Sequence, residues 1–357
     1  MLKKTSCLIL LGLLYASLVF SQDIKERNFI FPESSDVSEF DFPIDELNAV
    51  SSVEAVYWAG AIYDEKSNKL YSVDIVAQKG IMIDLNLQEV RLFGKGEGRG
   101  PEEAVQIAAV QVFEDYIVLG DTGGMLSHIY KKETLEYVNT IPEKNRSIYF
   151  QIVEDTIINA SPIANPFFER SDLEGNVITS YGSIDHLTKG LLNLTGSLSN
   201  HNLNEYYLNY FPAYLRYDDG IDELQLHILP STIDYDTKLS LTSNSKDNGY
   251  RAPNDRIFRF LYQDNAIKII SHGIIEDGYK TESYLDVYDT NDTYLCSINL
   301  RDIMGSFYYG AEDKGQILLE RSIKFRTPYA FYIQSPDSKI WVVDLVSFIK
   351  KHIDKGK

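Results

Sequence analysis

Residues 53–93 read VEAVYWAGAIYDEKSNKLYSVDIVAQKGIMIDLNLQEVRLF, four apolar runs broken by short polar turns. Val53–Tyr63, Lys69–Val73, Gly80–Leu85 and Glu89–Phe93 are rich in the β-branched and aromatic residues that suit a pleated surface. Asp64–Lys69 makes the first reversal, and Asn86-Leu87 lies near the last. The stretch therefore predicts one four-stranded antiparallel sheet.

The same order recurs along the chain. Asp64, Asp115, Asp155, Asp219, Asp264 and Asp313 each close an apolar, aromatic-rich run that a second apolar run follows, at intervals of 51, 40, 64, 45 and 49 residues. A period near fifty made only of strand-like pieces predicts an all-β fold, a six-bladed β-propeller of four-stranded antiparallel blades. The expected blades are 53–93, 105–140, 148–180, 206–243, 257–298 and 307–345. The 64-residue interval is assigned to an insertion at roughly Ile184–Asn204, where Leu187, Leu191, Leu192 and Leu194 suit a short helix. The fourth unit then holds Tyr206–Tyr217 and Leu224–Leu229, its outer strands poorly marked, and Thr242–Asp255 reads as a loop. The sixth unit reads Phe307–Gly310, Ile317–Glu320, Tyr329–Gln334 and Ile340–Leu345, with Pro336-Asp337 turning its last hairpin. An open ring would expose sheet edges, so strand-like Asn28–Pro43 is expected to pair with the sixth blade and close it.

At 357 residues and 44% apolar content the chain can bury a large core, and closed all-β folds of this length form single domains. Lys3 and Lys4 precede an apolar stretch, Cys7–Phe20, and small Ser21 follows. This predicts a signal peptide over residues 1–21, with the exported mature chain starting at Gln22 in the periplasm or outside the cell. The stretch is shorter than the roughly 20 residues that span a bilayer, which weighs against an anchor. Without Lys3 and Lys4 the chain carries 32 basic and 52 acidic residues, a net charge of −20. That charge excludes nucleic acid and anionic membrane as partners and favours cationic ones. Cys296 is then the lone cysteine, so no intrachain disulfide is expected.

The strongest local candidate for ligand binding is Gly96, Glu97, Gly98, Arg99 and Gly100 within Gly94–Glu103. Glycines at alternate positions can turn successive amide N–H groups towards one point, which suits an anion. The plainer reading is a tight connection between blades that Pro101 directs. The spacing is neither a dinucleotide fingerprint nor a phosphate loop. Asp286, Asp289 and Asp292 have the chemistry for calcium but lack the EF-hand spacing, so surface turn residues are the simpler reading. The histidines are scattered with no His-Glu-x-x-His pair, and there is no Gly-x-Ser-x-Gly elbow. No catalytic residue, metal site or cofactor is therefore assigned. His128, Tyr130, Arg251 and Arg326 either line a propeller face or pair with nearby carboxylates. Tyr206-Tyr207-Leu208-Asn209-Tyr210-Phe211 is either a sugar-stacking platform or an inner strand.

Lys69–Asp74, then Gly80–Leu85, then the glycine-rich stretch from Phe93 to Glu103 resembles the exported six-bladed β-propeller family of Bacteroidetes-type bacteria, which is similar to NHL-repeat and TolB-like propellers. In that family the stretch ends Gly-Pro-Gly-Glu. Here it ends Gly100-Pro101-Glu102-Glu103, so the second glycine is lost. The resemblance implies architecture rather than activity, because a shared propeller does not transfer a task. The expected function is a non-enzymatic exported scaffold for a protein, glycan or small ligand. The alternatives are an envelope hydrolase or lyase acting on glycans or peptides, with carboxylates at the propeller mouth, and a purely structural envelope component.

Overall fold

The acidic turn residues shape the hairpins. Asp84 accepts the backbone N–H groups of Asn86 (3.0 Å) and Leu87 (2.9 Å), and Gln88 then takes a left-handed φ of 54°. Asp74 does the same for Val76 and Ala77 before Gln78 at φ 53°, and Asp121 for Gly123 and Gly124 before Met125 at φ 55°. Each carboxylate satisfies the amide groups that the tight reversal frees from the ladder.

The computed structural model describes residues 26–58, 61–142, 150–161, 165–184, 196–209, 213–230, 256–276, 279–299, 329–334 and 338–355. An N-terminal strand, β1 (Val37–Asp41), precedes a short helix, Ile44–Val50. The first blade is β2 (Ile62–Asp64), β3 (Lys69–Asp74), β4 (Lys79–Asp84) and β5 (Glu89–Phe93). A short parallel pair, β6 (Gly96–Glu97) and β7 (Glu103–Ala104), links it to the second blade: β8 (Ile107–Val112), β9 (Tyr116–Asp121), β10 (Leu126–Lys131) and β11 (Tyr137–Pro142). The third blade is β12 (Phe150–Val153), β13 (Thr156–Ala160), β14 (Phe168–Ser171) and β15 (Val177–Tyr181). The fourth is β16 (Gly196–Leu198), β17 (Glu205–Leu208), β18 (Ala213–Asp218) and β19 (Glu223–Ile228). The fifth is β20 (Arg256–Gln263), β21 (Ile267–Glu276), β22 (Tyr279–Asp289) and β23 (Tyr294–Asn299). Finally β24 (Tyr329–Gln334) and β25 (Lys339–Asp344) form a three-stranded sheet with β1, and a helix, Leu345–Lys355, ends the described chain.

The fold is an all-β propeller of four-stranded antiparallel blades, but the expectation of six such blades is corrected to five among the described residues. The last sheet has three described strands in the order β1-β25-β24. The strands expected at Phe307–Gly310 and Ile317–Glu320 lie outside the described residues, as do the Pro336-Asp337 turn and residues 1–25. The predicted N-terminal pairing is present over part of its span: β1 runs antiparallel to β25, from Val37 opposite Val343 to Asp41 opposite Lys339. Phe29 instead bridges to Ser297 on the outer strand of the fifth blade.

The fourth blade needs a second correction. Residues 196–204 are not part of an insertion, because Gly196–Leu198 is the blade's first strand and is buried throughout. Tyr206–Tyr217 spans parts of two strands, β17 and β18, and the run from Leu224 lies in β19, itself the outermost strand. The blade therefore starts ten residues before the expected 206. A three-residue strand is too short to show a pattern, and Asp219 turns the last hairpin of this blade rather than its first. The helix expected near Leu187 lies outside the described residues, as does the loop Thr242–Asp255.

Each sheet packs face to face on the next, which explains why inner strands read as near-continuous apolar runs. Separate clusters of buried side chains join the first and second blades (Tyr71, Phe93, Leu119), the second and third (Val118, Ile129, Phe150), the third and fourth (Phe168, Leu198, Leu215) and the fourth and fifth (Tyr207, Tyr214, Phe260). The three-stranded sheet packs on both ends of this series. Val343, Phe348 and Ile349 meet the fifth blade, while Ile340 and Val342 meet the first. Acidic first turns reinforce the series from outside: Asp64 pairs with Lys132 of the second blade at 3.2 Å, and Asp264 with Lys350 of the final helix at 2.5 Å.

Candidate functional site

The glycine-rich segment forms the connection between the first and second blades. Gly96 has φ +99°, and a Cβ there would lie 3.1 Å from the Ala77 carbonyl oxygen, so any other residue would be both strained and crowded. At Gly98 a Cβ would collide with the Glu103 carboxylate. That carboxylate accepts the Gly100 N–H at 2.8 Å, while Gly98 N–H donates to the Ala104 carbonyl at 3.1 Å and Lys95 N–H to that of Glu102 at 3.0 Å. Glu103 thus occupies a position at which an anion would meet the turned amide of Gly100. Glu97 and Arg99 are exposed.

Two neighbouring hairpins support this segment. Gln78 in the β3–β4 turn accepts the Ile107 N–H at 2.5 Å through its side-chain oxygen. Asp121, fully buried, accepts Val105 N–H at 2.9 Å and Gln106 N–H at 2.8 Å besides the glycines of its own turn. These amide bonds outweigh the effect of burial and hold its carboxyl below the ordinary range. Around the connection four apolar side chains face solvent: Ile75 (43% exposed), Val76 (77%), Val105 (39%) and Met125 (44%). Three of them sit in hairpin turns, where polar residues are the rule. The signal is present in the sequence, as apolar residues at the turn positions of Asp74-Ile75-Val76 and Gly124-Met125.

The other sequence candidates are scattered. His128 and Tyr130 lie buried in β10, where His128 Nδ1 is 2.8 Å from Thr140 Oγ1. Arg251 and Arg326 lie outside the described residues. Tyr206 and Tyr207 are buried between blades and unavailable for stacking on a sugar, and Tyr210 and Phe211 lie outside the described residues. The three aspartates of the calcium motif part company. Asp289 caps its own turn, Asp292 pairs with Lys268 at 2.5 Å, and Asp286 meets Arg27 at 3.1 Å and Ser297 Oγ at 2.6 Å. Among the described residues, no group of three or more His, Cys, Asp or Glu is placed to hold a metal ion. Cys296 is buried in β23, and burial pushes its thiol up to about 12.

The most elaborate polar cluster joins the fourth and fifth blades. Glu205, fully buried, accepts Arg216 Nε at 2.9 Å, Arg216 Nη2 at 2.7 Å and Asn202 Nδ2 at 3.1 Å. Tyr214 donates to Asp292 at 2.7 Å, Arg216 donates to the Tyr214 oxygen at 2.9 Å, and the Lys268 ammonium sits 4.7 Å above the Tyr214 ring. His227 stacks on the same ring at 4.9 Å. Burial, and then Asp292, pushes the Tyr214 hydroxyl far up. Two cations and two anions balance within the cluster, while His227 Nε2 is buried without a hydrogen-bond partner. Elsewhere Asp286 is held below the ordinary carboxylate range by His272 and Arg27, against the effect of burial. Asp264 is likewise lowered, by Lys350 and two backbone amides against burial. Every described carboxyl with a displaced pKa moves down, the reverse of what a general acid requires.

No family model and no curated protein matches the chain. Among solved structures it is similar to a Bacteroides fragilis protein described as exported, at 13% identity and a TM-score of 0.52, over 87% of this chain and 88% of the other. It is also similar to a member of the DUF4221 family from Bacteroides vulgatus, at 10% identity and a TM-score of 0.47, over 77% and 87%. At such identities the likeness concerns the fold alone.

Proposed function

We propose that this chain is an exported six-bladed β-propeller that acts as a non-enzymatic binding scaffold. In this reading β24, β25 and β1 are three of the four strands of the sixth blade, and export rests on residues 1–21. The binding surface is the face around Gly96, Glu97, Gly98, Arg99 and Gly100, and its ligand is a protein, glycan or small molecule. One observation carries the reading: Ile75, Val76, Val105 and Met125 are exposed in or beside the hairpin turns that support this connection, and the Lys95, Gly98 and Gly100 amides within it are already engaged by its own chain. Exposed apolar side chains gathered near one loop favour being covered, and a loop held by its own hydrogen bonds offers a rigid base for that contact.

The test compares the mature protein with Arg99→Ala and Val76→Asp in capture from the envelope of the producing cell. Neither side chain is buried, so melting should move by no more than about 0.5 kcal/mol equivalent, while bound partners should fall away. Release of cleaved envelope glycan or peptide by the wild-type protein would overturn the reading in favour of a hydrolase or lyase.

A further inference from the structure

The outer strands of the sheets are protected in different ways, and one stands apart. The helix Ile44–Val50 lies against β5, which also carries an Arg91–Glu89 ion pair of 2.7 Å. Strand β11 ends in Pro142, and its Asn139 side chain donates to the Leu173 carbonyl at 2.9 Å. Strand β19 carries Glu223, which takes a bridge from Ser183, and β23 is bridged by Phe29. Strand β1 carries Glu39 and Asp41. These are the usual means of blunting an edge.

Strand β15, Val177-Ile178-Thr179-Ser180-Tyr181, has no charge, and its first four residues are exposed, Val177 at 50% and Ile178 at 63%. It is the last strand of its sheet and pairs only with β14 among the described residues. A register shift opposite Arg170 and Ser171 leaves Ile178 as an extra, outward residue. Both ends of this edge are acidic. Asp172 and Glu174 form the hairpin before Val177. Beyond Tyr181, Gly182 N–H donates to the Asp222 carboxylate at 3.0 Å and Ser183 N–H to the Asp222 carbonyl at 2.8 Å, which brings the Asp218–Asp222 turn alongside. Arg170 lies over the Tyr181 ring at 5.3 Å, on the face of the sheet.

We propose that β15 is a docking edge for an extended segment of another polypeptide, apolar and β-branched in its middle and carrying Lys or Arg at both ends. The segment adds as a further strand to the third blade: the backbone ladder supplies attraction, and the acidic ends select the cationic flanks. A second copy of this chain fits poorly, because antiparallel self-pairing would bring Asp172 and Glu174 of one copy beside Asp219 and Asp222 of the other. The site lies apart from the glycine-rich face, and the proposal shares with the binding-scaffold reading only the idea that the chain binds a partner.

A fluorescent peptide Lys-Lys-Val-Thr-Val-Thr-Val-Lys-Lys, and its counterpart with Glu at both ends, test this with the mature protein. The cationic peptide should bind, the acidic one should not, and amide exchange should slow at residues 177–181. Glu174→Lys should weaken binding about fivefold, and Ile178→Lys should do so with unchanged melting. Arg99→Ala should leave this binding intact, which separates it from the glycine-rich face. Equal binding of both peptides, unchanged exchange at 177–181, or a concentration-dependent dimer lost in Ile178→Lys would overturn the proposal.

Discussion

The joint between the first and second blades and the joint between the fourth and fifth solve one packing problem with different chemistry. The first uses Tyr71, Val73, Met82, Phe93, Val110 and Leu119, with a T-shaped Phe93–Tyr130 pair at 5.1 Å. The second places Glu205, Arg216, Lys268 and Asp292 around Tyr207 and Tyr214. An apolar joint loses stability in proportion to the volume removed. An ionic joint loses most when one partner goes and the other stays buried. The two should therefore respond oppositely to single and paired substitutions.

The largest effect is expected from Lys268→Met, whose side chain is 1% exposed and whose loss leaves Asp292, itself 20% exposed, beside Tyr214 without its cation. Denaturant unfolding should show a cost of about 3–5 kcal/mol. Adding Asp292→Asn should recover part of it, since Asn tolerates the left-handed φ of 64° at that position. Additive losses would mean that the pair is not coupled. Leu119→Ala, in the apolar joint, should cost about 3 kcal/mol, and a second truncation across the same joint should worsen it.

A smaller effect concerns pH. Burial first, and then Arg216, lowers the pKa of His227 from 6.5, and burial lowers that of His128. With the folded values depressed, the unfolded chain takes up protons first as the pH falls. The stability these groups contribute is therefore complete above about pH 6.5 and declines below it. Melting should drop by about 2–4 °C as the pH falls through this range, and His227→Gln should flatten part of the drop. A wild-type melting temperature that does not change between about pH 5 and pH 8 would contradict the assignment. The least stability change is expected at exposed Arg99, where only binding should respond.

The two joints also differ in how far the sequence discloses them. The hairpins of blades one and two were legible because Asp74, Asp84 and Asp121 each end a strand with a complete turn, and every blade strand there has five or six residues except β2, where Val53–Tyr63 was expected and only Ile62–Asp64 forms. The fourth blade was misread because β16 has three residues, and Tyr206–Tyr217 looks continuous although it contains a reversal. The ionic cluster was invisible for a related reason: Tyr214 meets Lys268, 54 residues on, and Asp292, 78 residues on, and nothing in their spacing signals a meeting. The final helix was missed although Leu345, Phe348, Ile349 and Ile353 follow helical spacing, because a propeller period gave no reason to look for one. The exposed turn residues Ile75, Val76 and Met125 were readable, but only as exceptions to turn chemistry.

Closure of the ring by the N-terminal strand is tested most directly by Glu39→Cys with Trp341→Cys, which face each other across β1 and β25. Mild oxidation should link them within one chain. Because the link closes a loop of about 300 residues, it should add several kcal/mol of resistance to unfolding, on the order of 5. Cysteines that stay reduced, or that link only between molecules, would contradict the closure.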